Sequence, residues 1–388
     1  MRAASFRQMI CALCMAFPAV VVANPEVTHV VGMLDHGGEL TIVGGSFGAK
    51  AADAPLRWDD FQNGEPGAQL TDRDEPGGGI WDLQGYWQRR PYYSGATAYD
   101  SRTDQWIAGV QRLPGDICVL QNFYSIPDGV GSNRAIGVQN EPSRIWYVSF
   151  WVYREDYAGT AMQCTNAKVY GNFSGTGGLN TRWDEYWNGE SGHIFAVDCT
   201  GEASGGIHNT WGVFQDVRNQ WIRVERFLDL GEVGIPNGYH AGAANLQVRG
   251  EYSGVFTPEH CTGQVIDSFI LGHYFRSGDT EPAALLRQYI SELYVDHSFA
   301  RVEIGDAPTW NACTHREIQI PTAWNNNSIT VTGNVGTFTS GTQVYLFVVD
   351  ENRQPSVGFP VVIGEDNQQG DLGVPGVPGT VTFTQIVD

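Results

Sequence analysis

The residues able to do chemistry gather in a few aromatic stretches with strand-like alternation. In Gln220–Gly231, Ile222, Val224 and Leu228 fall on one side, and Trp221, Arg223, Glu225 and Phe227 fall on the other. The first side suits packing against a second sheet. The second mixes aromatics with an Arg and a Glu, as a sheet does where it lines a wet groove. In Ser268–Arg276, Tyr274 and Arg276 share a face opposite Phe269, Leu271, His273 and Phe275. His273, alternating with apolar residues, fits a satisfied core histidine. The run Trp183-Asp184-Glu185-Tyr186-Trp187-Asn188-Gly189 supplies the best pair of carboxylates for glycosidic chemistry, Asp184 and Glu185. The flat faces of Trp183, Trp187 and Trp221 match sugar C–H faces, and Asn188 matches hydroxyls. The same run also suits a Trp-rich loop closing a sheet edge. A phosphate-binding Gly loop and His-Glu-x-x-His are absent, and the letters Gly-x-Ser-x-Gly occur only at Gly44–Gly48, the Gly-rich end of a short strand rather than a strand-to-helix elbow, which removes support for esterase, nucleotide and zinc-protease chemistry.

Positioning such faces requires a turn-rich β protein, and the composition fits one. The 388 residues include 48 Gly, 12% aromatics and only 23 Lys plus Arg. That length can bury one large core and at least one small one. A formal charge of -20 argues against nucleic acid or an anionic membrane as the main partner. An acidic polysaccharide remains possible through a locally basic groove.

Arg2 and Arg7, then the apolar run Met9–Val22 and Ala23, have the form of a signal peptide over residues 1–23. The run is too short for a transmembrane helix, and no later stretch qualifies. A secreted protein (extracellular, periplasmic or at the cell surface) is expected. Its mature form keeps Cys118, Cys164, Cys199, Cys261 and Cys313, of which some should pair with one left over.

Two short strands surround His36-Gly37-Gly38, and the second continues into Gly38-Glu39-Leu40-Thr41-Ile42-Val43-Gly44-Gly45-Ser46-Phe47-Gly48. This phrase resembles the opening of an IPT/TIG domain, an immunoglobulin-like sandwich. The later strands of that family resemble Ser328–Thr332, Gly341–Asp350 and Gly358–Ile363. The resemblance implies one small sandwich built from residues 24–52 and 316–365, with a large domain of residues 56–312 inserted between. Residues 366–388 follow as a Gly/Pro tail with a last short strand. The insert shows strand after strand, with one or two helical turns expected over Thr280–Arg287. The fold class expected is all-β, a large antiparallel jelly roll plus a small Ig-like sandwich.

Asp59-Asp60-Phe61 as entry strand, Trp221–Glu225 with its Gly hairpin, and Ile290–Asp296 as exit strand are together similar to the concanavalin-A-like superfamily. That superfamily includes laminin-G-like modules and several polysaccharide lyases. A lyase needs a group that neutralises the uronate carboxylate, a base and an acid. The resemblance gives Arg223 and Glu225 the place of the Arg-x-Glu strand of alginate-lyase-like enzymes. It gives Tyr274 and Arg276 that of their Tyr-Phe-Lys-x-Gly segment. Ile207-His208-Asn209 keeps the Ile-His order of a third motif but lacks its Gln, leaving His208 as the candidate base. The alternative reading of Arg223 and Glu225 is a cross-strand ion pair on a solvated face. Entry and exit strands lie side by side in this superfamily, so Asp59 or Asp60 could share a structural Ca²⁺ with Asp296.

The expected function is binding or degradation of an extracellular polysaccharide, with lyase chemistry on uronic-acid polymers as the enzymatic form the resemblance implies. The alternative is a non-catalytic structural or adhesive protein that self-associates through its Ig-like domain.

Overall fold

The computed structural model describes residues 23–64, 66, 68, 70, 73, 79–85, 105–107, 110–124, 134–155, 164–173, 179–185, 193–199, 208–210, 219–257, 259, 265–277 and 285–367. The expected leader, apart from Ala23, and the tail from residue 368 lie outside them. So do Thr280–Ala284, while Leu285, Leu286 and Arg287, expected as a helical turn, are strand. The described residues form three antiparallel sheets and contain no α-helix, only a 3-10 turn at Trp310–Ala312. The all-β class follows directly.

The first sheet has seven strands and is built from both ends of the described chain. Its order is β1 (Glu26–Gly32), β2 (Glu39–Gly45), β20 (Ser328–Thr332), β19 (Arg316–Asn325), β18 (Arg301–Gly305), β21 (Gln343–Val349) and β22 (Phe359–Val362). β2 runs antiparallel to β20, with Leu40 opposite Val331 and Ile42 opposite Ile329. Leu34 and Ile363 also bridge, so the sheet curls around its own core of Val30, Leu40, Ile42, Val302, Ile304 and Val331. β18 belongs to this small unit, paired with β19 and β21. The large unit therefore ends just after Asp296, earlier than the boundary at 312 expected from sequence.

Two facing sheets make the large unit. An eight-stranded sheet runs β15 (Gln247–Val255), β14 (Gly238–Ala244), β13 (Trp221–Asp229), β8 (Ile145–Arg154), β17 (Leu285–Asp296), β6 (Cys118–Tyr124), β5 (Gln105–Ile107), with β3 (Arg57–Asp59) beside the end of β17. A seven-stranded sheet runs β12 (His208–Thr210), β11 (His193–Cys199), β10 (Leu179–Glu185), β9 (Cys164–Phe173), β16 (Ser268–Ser277), β7 (Arg134–Val138), β4 (Asp82–Gly85). Alternation builds the core between them. Trp146, Val148, Phe150 and Val152 of β8 and Ile222, Val224 and Leu228 of β13 meet Ile136, Val138, Phe269 and Leu271. The apolar side of β13 expected from sequence is the side that packs.

Candidate functional site

The other side of β13 was expected to line an open groove, and here the structure corrects the sequence reading. The small unit covers it. Arg223 and Glu225 are each 2% exposed. Arg223 donates to Ser149 Oγ at 3.0 Å, to Glu303 Oε2 at 2.8 Å and to the Arg316 carbonyl at 2.9 Å, the last two on β18 and β19. Tyr147 donates its hydroxyl to Glu225 at 2.8 Å, and Arg301 donates to the far oxygen of Glu303 at 2.6 Å. Phe227, Tyr147 and Tyr294 pack with Phe299 and Ile318 beside this network. Burial pushes the Glu303 carboxyl up, but the guanidiniums of Arg223, Arg301 and Arg316 outweigh it and hold it well below its usual range. Burial likewise pushes the Tyr147 hydroxyl far up, so it stays protonated. Nothing here is open to a polymer. The solvated-face reading of Arg223 and Glu225 fails for the same reason, since both are buried. Trp221 lies at the end of this face, half-buried, 5.8 Å from the Tyr153 ring.

The three aspartates offered for calcium do not meet. β3 and β17 are neighbours, but their register sets Asp59 opposite Leu293, three positions away from Asp296. Asp296 is paired with Lys50 Nζ at 2.8 Å and accepts the Tyr294 hydroxyl at 2.8 Å. Asp59 accepts the Phe61 amide and the Trp81 indole N–H, and burial pushes its carboxyl up to about 6. Asp60 faces His36 at 3.7 Å and accepts the Gln62 amide. Among the described residues no three His, Cys, Asp or Glu side chains gather as a metal site. These donor sets do not fit Ca²⁺. A chelator is accordingly expected to leave the thermal melt unchanged. Lys50→Ala, which strands Asp296 beside a lysine site that is itself 0% exposed, is expected to cost about 3–5 kcal/mol by denaturant titration.

Cys313 is buried and takes part in no disulfide among the described residues, and the buried Cys118 donates its thiol to the Val110 carbonyl at 3.2 Å. Cys261 lies outside the described residues, and for Cys164 and Cys199 the backbone alone is described.

The remaining candidates fall on the seven-stranded sheet, and there the register brings several together. Tyr274 of β16 is opposite Lys168 of β9, Lys168 is opposite Asp184 of β10, and Asp184 is opposite His193 of β11. The row just before it joins Leu271, Tyr170, Trp183 and Ile194. Leu271 belongs to the core, so this earlier row takes the inner face. Counting alternately from Trp183 to Asp184 and from Ile194 to His193 puts the next row on the outer face, and Tyr274 joins that row by pairing with Lys168, across a register shift between Leu271 and Tyr274. A register shift between β9 and β10 at this point carries Lys168 into it. Arg182 and Arg276 fall on that outer face by the same count, as does His208, opposite Phe195, itself opposite Arg182.

Tyr274, Arg276, Asp184 and His208 thus share a face, while Trp183 and Glu185 take the other. Arg223 and Glu225 lie on the opposite sheet altogether. Trp187 and Asn188 lie outside the described residues. Sequence reasoning missed Lys168, Arg182 and His193. Arg182-Trp183-Asp184 is itself an Arg-x-acid strand, the signal by which β10 competes with β13 for that place.

No family model and no curated protein matches the chain. Among solved structures it is similar to an endo-β-1,4-glucuronan lyase from the fungus Trichoderma reesei, at 11% identity and TM-score 0.45, covering 63% of this chain and 97% of that one. It is also similar to an endo-1,3-β-glucanase from Streptomyces sioyaensis, at 10% identity and TM-score 0.38, covering 64% and 97%. A marine alginate lyase from Aplysia kurodai matches at 13% identity and TM-score 0.30, covering 45% and 97%. At these scores the likenesses carry no inference about chemistry. Among the described residues no helix is long and apolar enough to cross a membrane.

Proposed function

We propose that the protein is a secreted, polysaccharide-degrading enzyme that uses the outer face of its seven-stranded sheet to cleave a uronic-acid polymer by β-elimination. The observation that supports this most is the row Tyr274–Lys168–Asp184–His193, with Arg182 and Arg276 on the same face. In a chain with formal charge -20 and 23 Lys plus Arg, three cations sharing one face make a local basic surface suited to an acidic sugar.

Strand spacing assigns the roles. Neighbouring rows of backbone lie about 4.8 Å apart, so Tyr274 and Lys168 reach one sugar, whereas His193 is about 14 Å from Tyr274 and meets an adjoining one. Lys168 neutralises the uronate carboxylate, which makes the neighbouring C5 proton removable. Tyr274 takes that proton as its phenolate, the electron pair forms the C4–C5 double bond, and the C4–O bond breaks. The same tyrosine then returns the proton to the leaving oxygen. Asp184, His193, Arg182 and Arg276 hold adjacent units. The small unit, read as an IPT/TIG-like domain, braces the other sheet.

The test is a panel of uronic-acid and neutral polysaccharides incubated with the full chain. Ultraviolet absorbance from unsaturated sugar ends should rise with a uronic polymer and with no neutral one. New reducing ends without that absorbance would make it a hydrolase. Binding without turnover would make it a lectin, and neither, with oligomers in solution, would favour a structural role.

A further inference from the structure

We propose that Arg112, Glu292 and Glu317 form a latch between the two units that holds one proton between its two carboxylates, and that its grip weakens when the proton leaves. Arg112 comes from the segment before β6 and Glu292 from β17, both in the large unit, while Glu317 is on β19 of the small one. The guanidinium donates one N–H to Glu292 Oε1 and another to Glu317 Oε1, and lies over the Trp151 ring at 4.2 Å. All three side chains are buried. Two carboxylates around one permanent cation, away from water, leave a negative charge uncompensated wherever His315 is neutral, unless one of them is protonated.

The hydrogen bonds decide which one. Glu317 also accepts from His315 Nε2 at 2.7 Å and from the Thr337 amide at 3.3 Å. Among the described residues Glu292 has the Asn334 side-chain amide besides Arg112, at 3.3 Å. The proton therefore sits on Glu292. Glu317 Oε2 is buried with no hydrogen-bond partner among the described residues, a second sign of a site one donor short. The backbone is bent to hold the arrangement. Glu292 has φ +50°, left-handed for a residue with a side chain, where the pairing of β17 with β8 is irregular. Gly336 has φ +51°, and a Cβ there would come within 2.0 Å of Glu317 Oε1, so only glycine lets this turn close on the carboxylate.

The surrounding charges are Arg112, Glu317 and His315, with His36, its partner Asp60, and Asp116 further out. Burial and then the Glu317 charge push the Glu292 carboxyl up to about 7. Burial alone would raise Glu317 too, but Arg112 and His315 outweigh it and bring it down to about 2. Folding thus raises the Glu292 pKa above its ordinary 4.5. The folded protein keeps a proton that the unfolded chain loses, so stability falls as pH rises from 4.5 through about 7 and then levels.

Thermal melts of the full chain across this range test the latch. The wild type is expected to lose melting temperature as pH rises, and Glu292→Gln, which fixes the protonated form, to fall less steeply, keeping only the share owed to groups such as Asp59, and to melt above wild type at the alkaline end. Parallel slopes would overturn the proposal. A measurement on wild type alone guards against a variant that fails to fold. Hydrogen-exchange protection of the Gly336 and Thr337 amides, corrected for intrinsic rates, should drop about ten-fold as Glu292 loses its proton. Protection unchanged with pH would also overturn it.

Discussion

Arg223→Ala is expected to cost about 3–5 kcal/mol in folding stability while leaving turnover per folded molecule intact. Its guanidinium joins Ser149 on the eight-stranded sheet to Glu303 and the Arg316 carbonyl on the small unit. Removing it leaves Glu303, which is 0% exposed, with the weaker company of Arg301 and Arg316. Glu303 has its folded pKa depressed below its ordinary 4.5, so its contribution is fully present above that value and is lost as pH falls toward the folded pKa. Replacing Arg223 and Glu303 together by apolar residues of similar volume should cost less than the sum of the two single losses, because neither partner of the pair is then stranded, although Arg301 and Arg316 still lose their shared carboxylate. Chemical denaturation of the two single variants and the double variant measures this. A double variant as unstable as the sum of the singles would show that the pair is not the unit that matters.

Tyr274→Phe is expected to lower turnover on a uronic polymer by about 10²–10⁴-fold, since it removes the proton carrier and leaves the rest of the row in place. Lys168→Ala should cost about 10²–10³-fold by removing the charge that stabilises the developing carbanion. Neither variant should change the melting temperature greatly, because both positions fall on the outer face by their register. Initial rates at saturating polymer, with melts run alongside, separate the chemical loss from unfolding. Loss of activity in step with loss of fold would argue against both roles.

Much of the fold was legible because alternation in β8, β13 and β17 is strong. Ile222, Val224 and Leu228 could only be one face of a strand, and they pack as one. The site was less legible, since two faces with the same mixture of aromatics and charges differ only in what covers them. Glu303, Arg301 and Arg316 pair with Arg223 and Glu225 from about 80 residues away, and local patterning carries no trace of such a partner. Register was hidden as well. The row from Tyr274 to His193 depends on a shift at Lys168 that a simple alternate count along β9 does not predict. The boundary after Asp296 was obscured because β18, Arg301–Gly305, has the same buried, alternating character as the strands before it.

The most direct test of the central claim, that chemistry belongs to the seven-stranded sheet and bracing to the eight-stranded one, is a single comparison of product formation. Wild type, Tyr274→Phe and the apolar Arg223/Glu303 double variant are assayed on the same uronic-acid polymer by the absorbance of unsaturated ends. The account predicts product from wild type and from the double variant at comparable rates, and almost none from a fully folded Tyr274→Phe. Product from Tyr274→Phe with none from a folded double variant would contradict it.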